Sequence, residues 1–267
     1  AGYRELRADV YRPPAELGDP PSAGWPAVLL VHGGAWRSGD RRQLAGYGVL
    51  LGRAGYLCVA CEYRLSPAAN WPEHLHDVKT ALRWMRANAA ELGIDPDRIA
   101  VHGNSAGGHL ALVAAGTPGV PDLEGDGGHE GERTVVNACI AVYPPTVLTA
   151  DHPDVDTRAV DMITDRPSPE VARQASPVTH VGPDFPPTLL IHGTADTVVP
   201  VRSSQVMWEA LHSAGVPCEL HIYAEQPHAF DADPRFGRRA ASDVLFFLER
   251  YMGPAPVTDG EATPRPS

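Results

Sequence analysis

The hexapeptide Gly103-Asn104-Ser105-Ala106-Gly107-Gly108 constrains this chain most, because it stands directly between the short apolar run Ile99 to Val101 and the apolar helical run Leu110 to Val113. A serine on so sharp a strand-to-helix turn needs small neighbours two residues before and after it, where side chains would collide, and Gly103 and Gly107 supply them. The hydroxyl of Ser105 is then presented above the end of a strand, as a nucleophile must be. The Gly-x-Ser-x-Gly pattern also occurs in ordinary turns, so its weight comes from these flanks and from the motifs that accompany it.

The rest of the chain repeats the same rhythm. Apolar runs at Ala27 to Val31, Leu57 to Ala60, Ile99 to Val101, Ala138 to Val142, Thr188 to Ile191 and Leu220 to Tyr223 read as strands. Between them Leu75, Val78, Leu82, Met85 and Leu92 recur at helical spacing, opened by Pro72 and stopped by Gly93; further helices are expected at 106–115, 203–214 and 238–251. Alternating strands and helices predict an α/β fold with a mostly parallel central sheet of about eight strands covered by helices on both faces. The alternating stretch Glu5 to Arg12 is a candidate antiparallel edge strand. A chain of 267 residues can bury roughly three quarters of its surface as one unit, and no linker divides it, so one domain is expected over 1–252. Two segments break the rhythm: the Gly- and acid-rich stretch 116–133 and the polar, Pro- and Asp-rich insertion 144–187, which reads as a cap-like element. Residues 253–267 have the composition of a disordered tail.

Two more motifs follow strands. His32-Gly33-Gly34-Ala35-Trp36 comes after Ala27 to Val31, where glycines let the backbone approach a carbonyl; NH groups of Gly33, Gly34 and Ala106 are the expected oxyanion donors. His192-Gly193-Thr194-Ala195-Asp196 comes after Thr188 to Ile191, which puts Asp196 just past a strand end. Of twelve histidines, His228 alone follows the last strand, so the chain order Ser105, Asp196, His228 suits nucleophile, acid and base. Asp184 and Asp231 read as solvated or loop-capping residues, and His32 and His192 as supports of their glycine turns. Trp36, Asn104 and Tyr143 lie near the elbow in this reading and are the candidate substrate contacts.

These motifs together resemble the α/β-hydrolase superfamily, in particular the bacterial esterases and lipases of the hormone-sensitive-lipase-like and feruloyl or acetyl-xylan esterase-like branches. Glu62-Tyr63-Arg64-Leu65-Ser66-Pro67, Ser176-Pro177 and the run His192 to Pro200 look like those branches too, and the likeness extends from Glu5 to about Tyr251. It implies a carboxylesterase-type serine hydrolase of small, short-chain or aromatic acyl esters, working through Ser105, Asp196 and His228 and an acyl-enzyme. In two places the chain departs from the pattern: Ala35 stands where a third glycine is usual, and Asn104 where the lipase-like branch tends to carry Asp. Both favour the feruloyl-esterase-like branch. Arylformamidases share His-Gly-Gly-x-Trp, so amide hydrolysis is the alternative reading, and a noncatalytic binding protein on the same fold is the third. Glu62, Tyr63 and Arg64 are expected to be structural.

Composition narrows the partners. A net charge of -11 argues against nucleic acid, and no apolar stretch is long enough to span a bilayer, so the expected partner is a small-molecule ester. No metal and no organic cofactor is called for; His74 and His76, two residues apart, make a poor ligand pair. A cytoplasmic location is expected, export remaining open if residues precede Ala1, and a homodimer is left open. The Cys58 and Cys61 side chains, three apart on an apolar strand, read as buried thiols.

Overall fold

The computed structural model describes residues 5–150 and 159–253. In chain order its main elements are β1 (Ala8–Tyr11), β2 (Trp25–Val31), α1 (Ala45–Arg53), β3 (Leu57–Cys61), α2 (Glu73–Ala87), the short α3 (Ala89–Leu92), β4 (Ile94–Asn104), α4 (Ala106–Gly116), the short α5 (Pro121–Glu124), β5 (Ala138–Val142), the short α6 (Val160–Ile163), α7 (Pro169–Ala175), β6 (Thr188–Gly193), α8 (Arg202–Ser213), β7 (Cys218–Tyr223) and α9 (Pro234–Met252). The expected tail lies, apart from Gly253, outside the described residues.

Seven strands, against about eight expected, form one sheet among the described residues, in the order β1-β3-β2-β4-β5-β6-β7. The β1 strand runs antiparallel to β3, and every other neighbouring pair is parallel. Apolar residues at every position, rather than at alternate ones, are what a sheet covered on both faces requires. Thus Ala27, Leu29 and Val31 of β2 enter one core with Leu75, Val78, Leu82 and Leu110, while Val28 and Leu30 enter the other with Leu51, Val244, Phe247 and Leu248. No described helix is long and apolar enough to cross a membrane.

Helix α1 has no counterpart among the expected elements. Gly46, Gly48 and Gly52 within it depress helix propensity, so its sequence reads as loop. One of them is needed for packing: a Cβ on Gly48 would come within 2.6 Å of the Tyr11 ring, whereas one on Gly46 would meet nothing within 4 Å. Tertiary contact with β1 overrides the local preference.

Three buried histidines are held without charge. Burial pushes His74, His102 and His109 down to about 4 from the ordinary 6.5. An unfolded chain takes up these protons as pH falls through about 6.5, whereas the folded chain resists until about 4. Stability is therefore fully present above the unfolded value and is lost between the two, on the order of 2 to 3 kcal/mol for each histidine. We expect the melting temperature at pH 5 to lie about 10 °C or more below that at pH 7.5. A flat profile over that interval in differential scanning calorimetry would contradict these burials.

The cysteines are free, with Cys58, Cys61 and Cys139 buried, and burial raises the Cys61 thiol to about 12. Residues Glu62 to Arg64 serve the scaffold. The Arg64 guanidinium grips Asp77 at 2.8 Å and Glu73 at 2.7 Å on α2, and the Tyr63 hydroxyl donates to the His32 carbonyl at 3.0 Å. The histidine pair is likewise engaged elsewhere: His74 Nε2 meets Ser66 Oγ at 3.0 Å and His76 Nε2 the Asp122 carbonyl at 3.1 Å.

Candidate active site

Ser105 follows the last residue of β4 and precedes α4 with φ 53° and ψ -120°, a backbone conformation costly for a residue with a Cβ. Close packing enforces it. A Cβ on Gly103 would stand 2.1 Å from the Gly107 carbonyl oxygen, and one on Gly107 would stand 2.0 Å from that of Val31. The Ser105 amide donates to the Val142 carbonyl at 2.8 Å, which ties the elbow to β5.

His228 and Asp196 come to this elbow from the loops after β7 and β6. The two loops are stitched together: the amide of Ala195 donates to the Gln226 carbonyl at 3.0 Å, and that of Glu225 to Thr194 Oγ1 at 2.8 Å. In consequence His228 Nε2 lies 3.0 Å from Ser105 Oγ, and His228 Nδ1 lies 2.6 Å from Asp196 Oδ2. Asp196 Oδ1 accepts the amides of Val198 and Val199, both at 2.9 Å. Burial by itself would raise this carboxyl, but hydrogen bonds from His192, His228 and the Val199 amide hold it well below the usual carboxylate range. An ionised Asp196 needs a proton on His228 Nδ1, which leaves Nε2 as an acceptor facing the serine.

His192 supports the acid loop. Its Nε2 faces the Val199 carbonyl at 2.9 Å and Asp196 Oδ2 at 3.3 Å, and its Nδ1 meets Ser204 Oγ at 2.7 Å. A carbonyl only accepts, so Nε2 carries the proton. His32 Nδ1 contacts the Gly33 carbonyl at 2.8 Å within its own turn. Both match the supporting parts expected of them.

A cavity of about 90 Å³ opens beside Ser105, lined by Ala35, Trp36, Ala106, Pro145, Met162, Val198 and a few further small residues. Trp36 is thus a cleft wall. Its indole donates to His109 Nδ1 at 3.3 Å, and His109 Nε2 donates to the Ala175 carbonyl at 2.6 Å, so this wall is braced against α4 and the insertion. Arg37 extends the brace through bonds to the carbonyls of Asp161 and Met162. The insertion therefore contributes Ala159 and Met162 to the cleft, whereas the 116–133 segment is anchored away from it, with Glu124 clamped by Lys79 and Arg83 of α2.

Gly33 packs against the elbow, where a Cβ would stand 2.9 Å from the Asn104 carbonyl oxygen and 3.3 Å from Ser105 Cβ, and Gly34 turns the loop at φ 113° against Ser38. Ala35 and Ala106 line the cleft. Asn104 and Tyr143, expected as substrate contacts, point away from it into a hydrogen-bonded cluster beneath the His228 loop. The reason is local geometry: the residue before the elbow still belongs to β4, so its side chain alternates to the face opposite the cleft. Asp231, expected to be solvated or loop-capping, is the hub of that cluster. Its sequence signal was only a spacing of three from His228, which no local rule distinguishes from a turn residue.

Comparison with known proteins agrees with this architecture. The BD-FAE family model matches residues 8–211. Esterase LipC of Mycobacterium tuberculosis is 39% identical over 251 residues, covering 89% of this chain and 61% of its own length. Esterase LipQ of the same organism is 35% identical over 274 residues, covering 94% and 62%. The chain thus spans somewhat more than half the length of these curated relatives. Among solved structures, a thermophilic esterase of Thermogutta terrifontis with propionate bound superposes with a TM-score of 0.80 at 30% identity, covering 95% of this chain and 92% of that one. The same esterase phosphoramylated by tabun superposes at 0.81 with 28% identity and the same coverage. With the family model matched over most of the sheet and its elbow, this chain belongs to the BD-FAE family of α/β-hydrolase proteins.

Proposed function

We propose that this protein is a serine hydrolase of small carboxylic esters in which Ser105 is the nucleophile, His228 the general base and Asp196 its orienting acid. The observation that carries the reading is the continuous chain of contacts from Ser105 Oγ through the His228 ring to an Asp196 carboxylate held low in pKa. His228 Nε2 takes the hydroxyl proton as Ser105 Oγ attacks the ester carbonyl, and Asp196 stabilises the imidazolium that forms. The oxyanion is met by backbone NH groups of the glycine turn and of Ala106, the latter at the N-terminus of α4, where the helix dipole adds to the hydrogen bond. Collapse of the tetrahedral intermediate breaks the bond to the alcohol, which leaves with the proton from Nε2. A water then repeats the sequence on the acyl-enzyme and releases the acid and Ser105.

The acyl group belongs in the small apolar cleft between Trp36, Met162 and Val198. No charged side chain lines this cleft among the described residues, so an uncharged, short acyl chain suits it best. The Thermogutta terrifontis esterase, described with propionate or butyrate bound, favours the same class. A panel of p-nitrophenyl esters tests this: kcat/KM is expected to be highest for acetate to butyrate and to fall by about tenfold or more at octanoate and beyond. A profile rising to palmitate would overturn the acyl assignment. Turnover of N-formylkynurenine far above that of acetate esters would replace ester with formamide hydrolysis.

A further inference from the structure

Beneath the His228 loop, and outside the cleft, Asp231 gathers three donors from three separate elements. Tyr47 Oη of α1 donates to Oδ2 at 3.0 Å, Asn104 Nδ2 at the end of β4 donates to Oδ2 at 2.6 Å, and the hydroxyl of Tyr143, just past β5, donates to Oδ1 at 2.5 Å. Every proton in the cluster has an assigned direction. Asn104 Nδ2 gives its second hydrogen to the Tyr143 oxygen at 2.9 Å, and Asn104 Oδ1 accepts from His102 Nε2 at 3.0 Å. The amide therefore has one orientation, with its NH2 group towards the carboxylate. His102 Nδ1 is buried with no partner, so the far end of the cluster gives up a hydrogen bond while Nε2 holds the amide.

Three links run from this hub to the reacting residues. Asp231 is three residues beyond His228, and the turn between them is closed by Ala229 at φ 57° and by the buried Phe230. Tyr143 not only donates to Asp231 but lays its ring 4.5 Å from that of His228. At the other end Asn104 is the residue immediately before Ser105.

We propose that Asp231 is a positioning residue: its carboxylate clamps the His228 loop to the residue before the nucleophile and thereby sets the approach of His228 to Ser105. The proposal rests on the roles given above to Ser105 and His228. It also accounts for Asn at position 104. An Asp there would set two carboxyl groups 2.6 Å apart, whose like charges repel when both ionise, so with Asp231 supplying the acceptor an uncharged donor suits the position.

The test uses Asp231→Asn, Asn104→Asp and the double variant, with kcat and KM for p-nitrophenyl acetate and a melting curve for each. Loosening of the loop is expected to lower kcat by about tenfold to hundredfold in either single variant, with KM changed by no more than about twofold. The double variant restores one donor facing one acceptor, reversed in direction, and is expected to return kcat to within about fivefold of the parent. With kcat taken per active site, counted by the p-nitrophenol burst, a purely structural role would lower the melting point and the number of active sites but leave this kcat unchanged. If a single variant does not fold, Tyr47→Phe removes one donor from the same carboxylate far from the cleft and is expected to lower kcat about threefold. Unchanged kcat in Asp231→Asn, or in Tyr47→Phe where Asp231→Asn does not fold, overturns the proposal, as does a double variant no better than the poorer single one. The parent and Ser105→Ala run alongside separate the two levels: ester turnover surviving in Ser105→Ala defeats the functional reading, whereas a serine-dependent parent with a fully active Asp231→Asn defeats only the role of Asp231.

Discussion

Replacing Ser105 by Ala is expected to lower kcat for p-nitrophenyl acetate by a factor of about 10⁴ to 10⁶, leaving only what the oxyanion donors and binding supply. The fold should survive, because the elbow conformation is imposed by the backbone contacts of Gly103 and Gly107 and not by the serine hydroxyl. Alanine keeps the Cβ and hence the strain of φ 53°. Ser105→Gly removes that Cβ, so it should be equally inactive but more stable than Ser105→Ala, by about 1 kcal/mol or more. Steady-state kinetics, covalent labelling by a fluorophosphonate and a urea titration read these outcomes separately. Labelling of Ser105→Ala at its former rate would locate the nucleophile elsewhere.

The second large effect is expected from Asp196→Asn, and the surroundings of the carboxylate say why. Its Oδ1 accepts two backbone amides, from Val198 and Val199, so an asparagine will be held with its oxygen there and its NH2 group where Oδ2 now stands. That group then faces His228 Nδ1 at 2.6 Å, where only an acceptor is tolerated. His228 is driven into the tautomer with its proton on Nε2, which donates to Ser105 instead of accepting from it. The expected fall in kcat is about 10⁴-fold with the cleft and KM little altered. Since Nε2 of His192 also approaches Oδ2, at 3.3 Å, the substitution costs that contact as well. Burst kinetics with p-nitrophenyl acetate should show acylation itself slowed; an unchanged burst with slow release would mean that Asp196 serves only the second half of the reaction.

Much of this site could be read along the chain because each of its parts is a local pattern. A small residue before Ser105 is demanded by a contact four residues away, between Gly103 and Gly107, although Gly107 itself answers to the distant Val31 carbonyl; Asp196 and His228 each follow a strand closely enough for its end to place them. Helices α2 and α8 were legible from apolar spacing, and α4 from its apolar run directly after the elbow. Helix α1 was not, because its three glycines depress helix propensity, and Gly48 answers to the ring of Tyr11 and not to the helix itself. The side chains of Asn104 and Tyr143 were assigned to the cleft by their nearness to the elbow in sequence, and they turn to the other face.

The sequence by itself determined the class of fold, the elbow at Ser105 and the order in which the serine, the aspartate and the histidine follow one another, since these rest on periodicity and on a pattern of residue types that can be read along the chain. Asp196 was legible in that order, but only the tertiary structure decided which groups each carboxylate meets. Asp196 meets His228 across 32 residues and Asp231 meets Asn104 across 127. Whether a carboxylate caps a turn, orients a base or clamps a loop depends on which donors the packed strands bring within about 3 Å of it, and no local rule carries that information.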